Sequence, residues 1–108
     1  MVFKATAWNN GHFHPSGAGY GIKISFENRN NFFNRDWQTV ILHLKDYNNP
    51  IEVNVAKSSF WSRKCGELIS QDIGLWLQLN NSALWPRNQP LRVKISVLKD
   101  REFNVELI

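Results

Sequence analysis

The chain has 108 residues, a formal net charge of +4 and a sequence pI near 9.5, a length that fits one domain around one core. No segment approaches the roughly 18 consecutive apolar residues of a membrane helix, and Met1-Val2-Phe3-Lys4 opens no secretory apolar run, so a soluble, cytoplasmic protein without membrane association is expected. The single cysteine, Cys65, excludes an internal disulfide and any site needing two thiolates; it reads as a buried structural thiol, the alternative being a nucleophile activated by Arg63 and Lys64.

The first expected strand runs from Val2 to Trp8. It leads into a stretch, Trp8 to Gly21, that holds four of the six glycines and two of the three histidines. Asn10-Gly11 is a strong signal for a type I′ turn, whose two central residues both need positive φ. That turn pairs Trp8 with Phe13 and projects His12 and His14 from one face of the returning strand. Same-face imidazoles two residues apart suit zinc, copper, nickel or iron, with a third donor to come from His43, Glu52, Cys65 or a distant carboxylate; otherwise the pair is a hydrogen-bonded or solvated feature of a turn. Gly17-Ala18-Gly19-Tyr20-Gly21 has the look of a phosphate loop. It leads into a strand rather than a helix, however, and no Gly-Lys-Ser/Thr follows. Backbone flexibility or close approach of another segment is the expected role of Gly17 and Gly19, which stay on the list of ligand-binding candidates.

The second strand is expected over Tyr20 to Phe26, with Ile22, Ile24 and Phe26 on one face. Glu27 to Asp36 reads as a polar loop with one helical turn that packs Phe32 and Phe33 under Trp37. Next, Val40, Leu42 and Leu44 face Ile51, Val53 and Val55 across the turn residues Asp46 to Asn49. Aligning these sets places Leu44 opposite Ile51, Leu42 opposite Val53 and His43 opposite Glu52, which gives the histidine a carboxylate partner. Phe60-Trp61 forms a short turn. A helix is expected from about Gln71 to Asn80, with Ser70 as N-cap, Asp72 near the positive end of the dipole, and asparagines able to adopt αL at its end. Leu75, Leu79, Trp76, Ile73 and Leu77 sweep about 200° of its circumference, wider than the stripe of about 100° that a surface helix needs. Either two sides are buried, or Leu75 and Leu79 meet a second copy in a homo-oligomer.

At the C-terminal end, Leu91, Val93, Ile95 and Val97 alternate with polar residues, as do Phe103, Val105 and Leu107, which is a β-hairpin. A three-residue loop pairs Val97 with Phe103 and Ile95 with Val105, and sets Lys94 across from Glu106; a two-residue turn at Asp100-Arg101 mixes the faces.

Six strands and one principal helix, inserted before the C-terminal hairpin, describe an α+β domain: a small, strongly curved, mostly antiparallel sheet or partly open β-barrel. All the excess charge lies between Arg87 and Arg101, where five cations meet one anion, Asp100. With five tryptophans in the chain, this favours a binding module for nucleic acid or another anionic ligand, since small β-barrels hold single strands by stacking bases on aromatics beside a basic groove. The expected surface joins Arg87, Arg92 and Lys94 to Trp8, Trp85 and the glycine loop. Trp37, Trp61 and Trp76 read as packing residues. Two other readings stand beside it: a protein-interaction or homo-oligomeric module using the apolar helix face, and a metal-dependent or acid-base enzyme centred on His12 and His14. No triad order, paired-carboxylate spacing or His-Glu-x-x-His motif supports the last, and no cofactor is expected.

Overall fold

The computed structural model describes residues 1–11, 14–80, 85 and 91–108. The alternating segments form strands β1 (Val2–Asn9), β2 (Tyr20–Ser25), β3 (Thr39–Leu44), β4 (Ile51–Asn54), β5 (Cys65–Ile69), β6 (Arg92–Lys99) and β7 (Glu102–Leu107). Helix α1 (Phe26–Phe32) lies between β2 and β3, and α2 (Gln71–Leu79) between β5 and β6. The strands make one seven-stranded sheet in the order β4-β3-β7-β6-β1-β2-β5. Its edge strands β4 and β5 come together, so the sheet is nearly closed and barrel-like. Every neighbouring pair is antiparallel except β3 and β7, which run parallel.

Period-two alternation sends one face of each strand inward. Phe3, Ala5 and Ala7 from β1, Ile22 and Ile24 from β2, Val40, Leu42 and Leu44 from β3, and Val93 and Ile95 from β6 all enter the core. Aromatic rings fill its centre: Phe33, just after α1, stacks on Phe103 at 4.8 Å and meets Phe60 edge-on at 5.0 Å. Trp37 packs edge-on against the same Phe33 at 6.3 Å, as the sequence pattern anticipates.

Helix α2 follows its local signals at the start. Ser70 is the N-cap, and its hydroxyl accepts from the Asp72 amide at 3.1 Å, satisfying a helix-start donor. Ile73, Trp76 and Leu77 are buried, and the Trp76 indole donates to the Lys45 carbonyl at 2.8 Å. Gly74 lies against Gly17 so closely that a Cβ at position 74 would come within 2.2 Å of the Gly17 carbonyl oxygen. Gly17 itself has φ +85 and would place a Cβ 2.3 Å from the Gln71 carbonyl. The expected close approach of another segment is therefore met at Gly17, and the second segment is α2. At its far end, Asn80 caps with φ −94 rather than αL, because its side-chain amide donates back to the Trp76 carbonyl at 2.8 Å.

Trp8 pairs with Gly21 on β2, and the Asn10 amide donates to the Gly19 carbonyl, so β1 does not turn back at Asn10-Gly11. Among the described non-glycine residues only Asp46 and Asp100 have positive φ, and a type I′ turn would need it at Asn10 too. Phe13, its expected strand partner, lies outside the described residues. Phe26 begins α1 and is exposed rather than ending a strand face, because the Ser25 hydroxyl caps that helix by accepting from the Asn28 amide. Hairpin β3–β4 is shifted by two residues from expectation, pairing Leu42 with Ile51 and Val40 with Val53. Strand β5 was not anticipated: of its inward positions Gly66 and Leu68, only one carries an apolar side chain. In the C-terminal hairpin both turn readings hold in part. Lys99 pairs with Glu102 around a tight turn, and a bulge then restores Val97 to Phe103 and Ile95 to Val105; one extra residue in a bulged strand resets the facing of the rest.

Candidate functional site

Strands β6, β1 and β2 lie side by side and set the geometry of a basic outer surface. Along β1 the outward positions are Val2, Lys4, Thr6 and Trp8. Register places Lys4 directly opposite Lys94, and Thr6 between Arg92 on β6 and Lys23 on β2. Four cations thus share one convex face in two adjacent rows, about 7 Å apart along the strands. Trp8 is half-buried in the same outward set, and its β2 neighbour is Gly21, which raises no side chain beside the indole. Like charges directly opposite on neighbouring strands are destabilising. Only one of the facing pair is relieved: Lys94 meets Glu106 at 2.6 Å, with Lys45 at 3.6 Å from the same carboxylate. The hydrogen bond from Lys94, its charge and that of Lys45 together hold the Glu106 carboxyl below the usual carboxylate range. Lys4, Lys23 and Arg92 make no ion pair among the described residues.

Of the residues singled out in the sequence, Trp8, Arg92 and Lys94 meet on this face. Lys4 and Lys23 join them unannounced, because isolated lysines on different strands carry no linear signal until register puts them together. Trp85 is elsewhere. It packs edge-on against Tyr20 at 6.2 Å and sits half-buried against the core, so it is not on the strand face. Gly17 packs against α2, while Gly19, with φ +80, would set a Cβ 2.5 Å from the Asn10 side-chain amide. Both belong to the packing of the 14–19 segment. Arg87 and His12 lie outside the described residues.

His14 is exposed, and its Nδ1 lies 2.9 Å from the Ser16 hydroxyl. His43 pairs with Asn104 on β7, and its Nε2 is 3.0 Å from a Glu102 oxygen. That bond, with Lys99 nearby, holds the Glu102 carboxyl below its usual range. The expected carboxylate partner of His43 was Glu52, which instead accepts from the Thr39 hydroxyl at 2.7 Å. Among the described residues no three His, Cys, Asp or Glu side chains converge as metal ligands. Cys65 is half-buried rather than buried, since it starts an edge strand.

Sequence reasoning missed Arg29, the one buried charged residue among those described, 5% exposed on α1. Its guanidinium donates to the Phe60 carbonyl at 3.0 Å, the Cys65 carbonyl at 3.1 Å and the Ser62 carbonyl, and lies 5.1 Å over the Trp61 ring. Burial, with Arg35 beside it, lowers its pKa from the ordinary value. Three accepting carbonyls make it a brace that pins the 60–65 segment to α1. A lone arginine in an asparagine-rich loop gives no hint of this.

On another side of the molecule, the 46–50 turn and α2 enclose an open groove of about 720 Å³. Leu75 and Leu79 line it, the former half-buried and the latter 71% exposed. Tyr47 donates to Asp72 across it at 2.8 Å, and burial followed by that bond raises the Tyr47 pKa. Comparison with protein-family profiles, curated proteins and solved structures found no match.

Proposed function

We propose that the protein is a small binding module for single-stranded nucleic acid, held on the outer face of β6, β1 and β2. The observation that carries this reading is the register that sets Lys4 opposite Lys94 in one row, and Arg92 and Lys23 on either side of Thr6 in the next, with Trp8 in the same outward set. Glu106 offsets Lys94 and Glu67 stands opposite Lys23 across β2 and β5, whereas Lys4 and Arg92 make no ion pair among the described residues, and cations left without a partner on one face suit an anionic ligand. Phosphates supply the missing counter-charge, and the indole offers a face on which one base stacks. No helix of the described residues is long and apolar enough to cross a membrane. A cytoplasmic location belongs to the same proposal.

Fluorescence anisotropy of a labelled mixed-sequence single strand, titrated at several salt concentrations, tests it. Binding is expected at low ionic strength, with log K falling linearly against log salt. Trp8→Ala is expected to weaken single-strand binding by about 1–3 kcal/mol, the worth of one stacked base, and to change duplex binding less. Absent or salt-insensitive binding removes the proposal.

A further inference from the structure

The groove beside α2 differs from the strand face in both charge and polarity. Its charged lining is Asp46, Glu52 and Asp72, with no lysine or arginine, in a protein whose net charge is +4. Its apolar lining is Pro50, Ile51, Leu75 and Leu79. Leu79, on the last turn of the helix, is left 71% exposed although nothing in the fold requires a leucine there. Arg101 reaches the rim at 3.7 Å from Glu52, and Asp72 is engaged by Tyr47. Asp46, held at φ 64 by the turn, has no ion pair among the described residues. A volume of about 720 Å³ is in the range of roughly 300–1,000 Å³ that ligand sites occupy, yet the groove is open along its length rather than enclosed.

We propose that this groove docks a basic segment of a partner protein, one that inserts an aliphatic or aromatic side chain between Leu75 and Leu79 and aligns lysine or arginine with Asp46 and Glu52. Charge complementarity selects the occupant: the carboxylates rim an apolar strip, so the complement is an apolar side chain flanked by cations. The cationic face of β6, β1 and β2 on a second copy is convex and does not enter a groove. A projecting segment of another chain can. The site is independent of the nucleic-acid surface, since none of its lining residues belongs to β1, β2 or β6.

The test uses a short fluorescein-labelled peptide of alternating leucine and lysine, read by anisotropy and by amide chemical shifts of the full chain. Expected are shifts at residues 46–52 and 72–79, and loss of affinity of about tenfold in Leu79→Arg, which removes the apolar contact and adds a like charge. The pair Asp46→Asn and Glu52→Gln is expected to cost about threefold and to flatten the salt dependence. These side chains are exposed, so an unchanged Tm is required of each variant. Equal binding of the peptide with serine in place of leucine overturns the proposal, as do shifts confined to β1 and β6. Concentration-dependent self-association that Leu79→Arg abolishes also overturns it, by assigning the groove to a second copy. A Lys4→Glu control separates the two surfaces: it is expected to weaken the oligonucleotide and leave the peptide unaffected.

Discussion

The outer face of β6, β1 and β2 and the groove beside α2 are both exposed, and they are assembled in opposite ways. On the strand face, every charged side chain is outward because its strand neighbours are inward, and register alone brings Lys4 to Lys94 and Thr6 to Arg92. The groove comes from packing between non-adjacent segments: the 46–50 turn meets α2, and Tyr47 reaches Asp72 to close the contact. One is positive and convex; the other is negative and concave. A net charge of +4 thus hides two patches of opposite sign, because composition averages over faces that tertiary structure keeps apart.

The two surfaces can be set against each other experimentally. Gly17→Ala should have the largest effect. A side chain there meets the Gln71 carbonyl and is strained by φ +85, so a loss of about 2–4 kcal/mol is expected, measured by urea unfolding. At temperatures where the variant stays folded, the groove peptide should bind less tightly while the oligonucleotide binds as before, because Gly17 packs on α2 beside Leu75 and not on the strand face. Arg29→Ala should follow, at about 2–3 kcal/mol, since removing the donor takes the Arg29 hydrogen bond from the Phe60 and Ser62 carbonyls and leaves the Cys65 carbonyl only the Ser62 hydroxyl. Unlike the first variant it lies at neither surface, so both ligands should bind normally to the protein that remains folded.

Lys4→Glu combined with Arg92→Glu should lower oligonucleotide affinity by about tenfold or more at low salt and reduce the magnitude of the salt slope by roughly two, with the groove peptide unchanged. Equal loss of both ligands in this variant would erase the distinction between the surfaces. Tyr47→Phe removes the hydrogen bond to Asp72 and should cost about 1 kcal/mol, read as a small fall in Tm and weaker peptide binding.

Glu106→Gln is expected to have the smallest effect. The folded-state pKa of Glu106 is lowered, so the stability it contributes is fully present above the ordinary carboxylate value and is lost as pH falls towards the lowered value. The variant should show a flatter loss of stability in that acid window. It should also bind the oligonucleotide slightly more tightly at neutral pH, because Lys94 and Lys45 lose their carboxylate.

Much of the fold is legible locally, and particular elements show where legibility stops. The β6–β7 register, down to Lys94 against Glu106, follows from long alternating runs that only one parity satisfies. The β3–β4 hairpin has the right faces and the wrong partners, because a shift of two residues keeps every side chain on its own side. Strand β5 escapes notice since Gly66 lies within reach of Phe60 and Arg29 and offers the pattern no side chain. Asn10-Gly11 signals a turn that pairing between β1 and β2 overrides. The candidate site was half legible: Trp8, Arg92 and Lys94 were named, whereas Lys4 and Lys23 acquire meaning only as their neighbours.

Periodicity and capping within a few residues decide the facing of β1, β3, β4, β6 and β7, the Ser70 cap from which α2 starts, and the mostly β α+β class; at Phe26 the cap at Ser25 turns the chain into α1 and the expected inward facing is lost. Which segments stand side by side is set by packing. The parallel pairing of β3 with β7, the near closure of β4 on β5, the lysines facing each other across β1 and β6, and the groove between the 46–50 turn and α2 all join segments far apart in the chain. Alternation fixes parity but is blind to strand order and to shifts of two, so those choices fall to the closure and filling of one shared core.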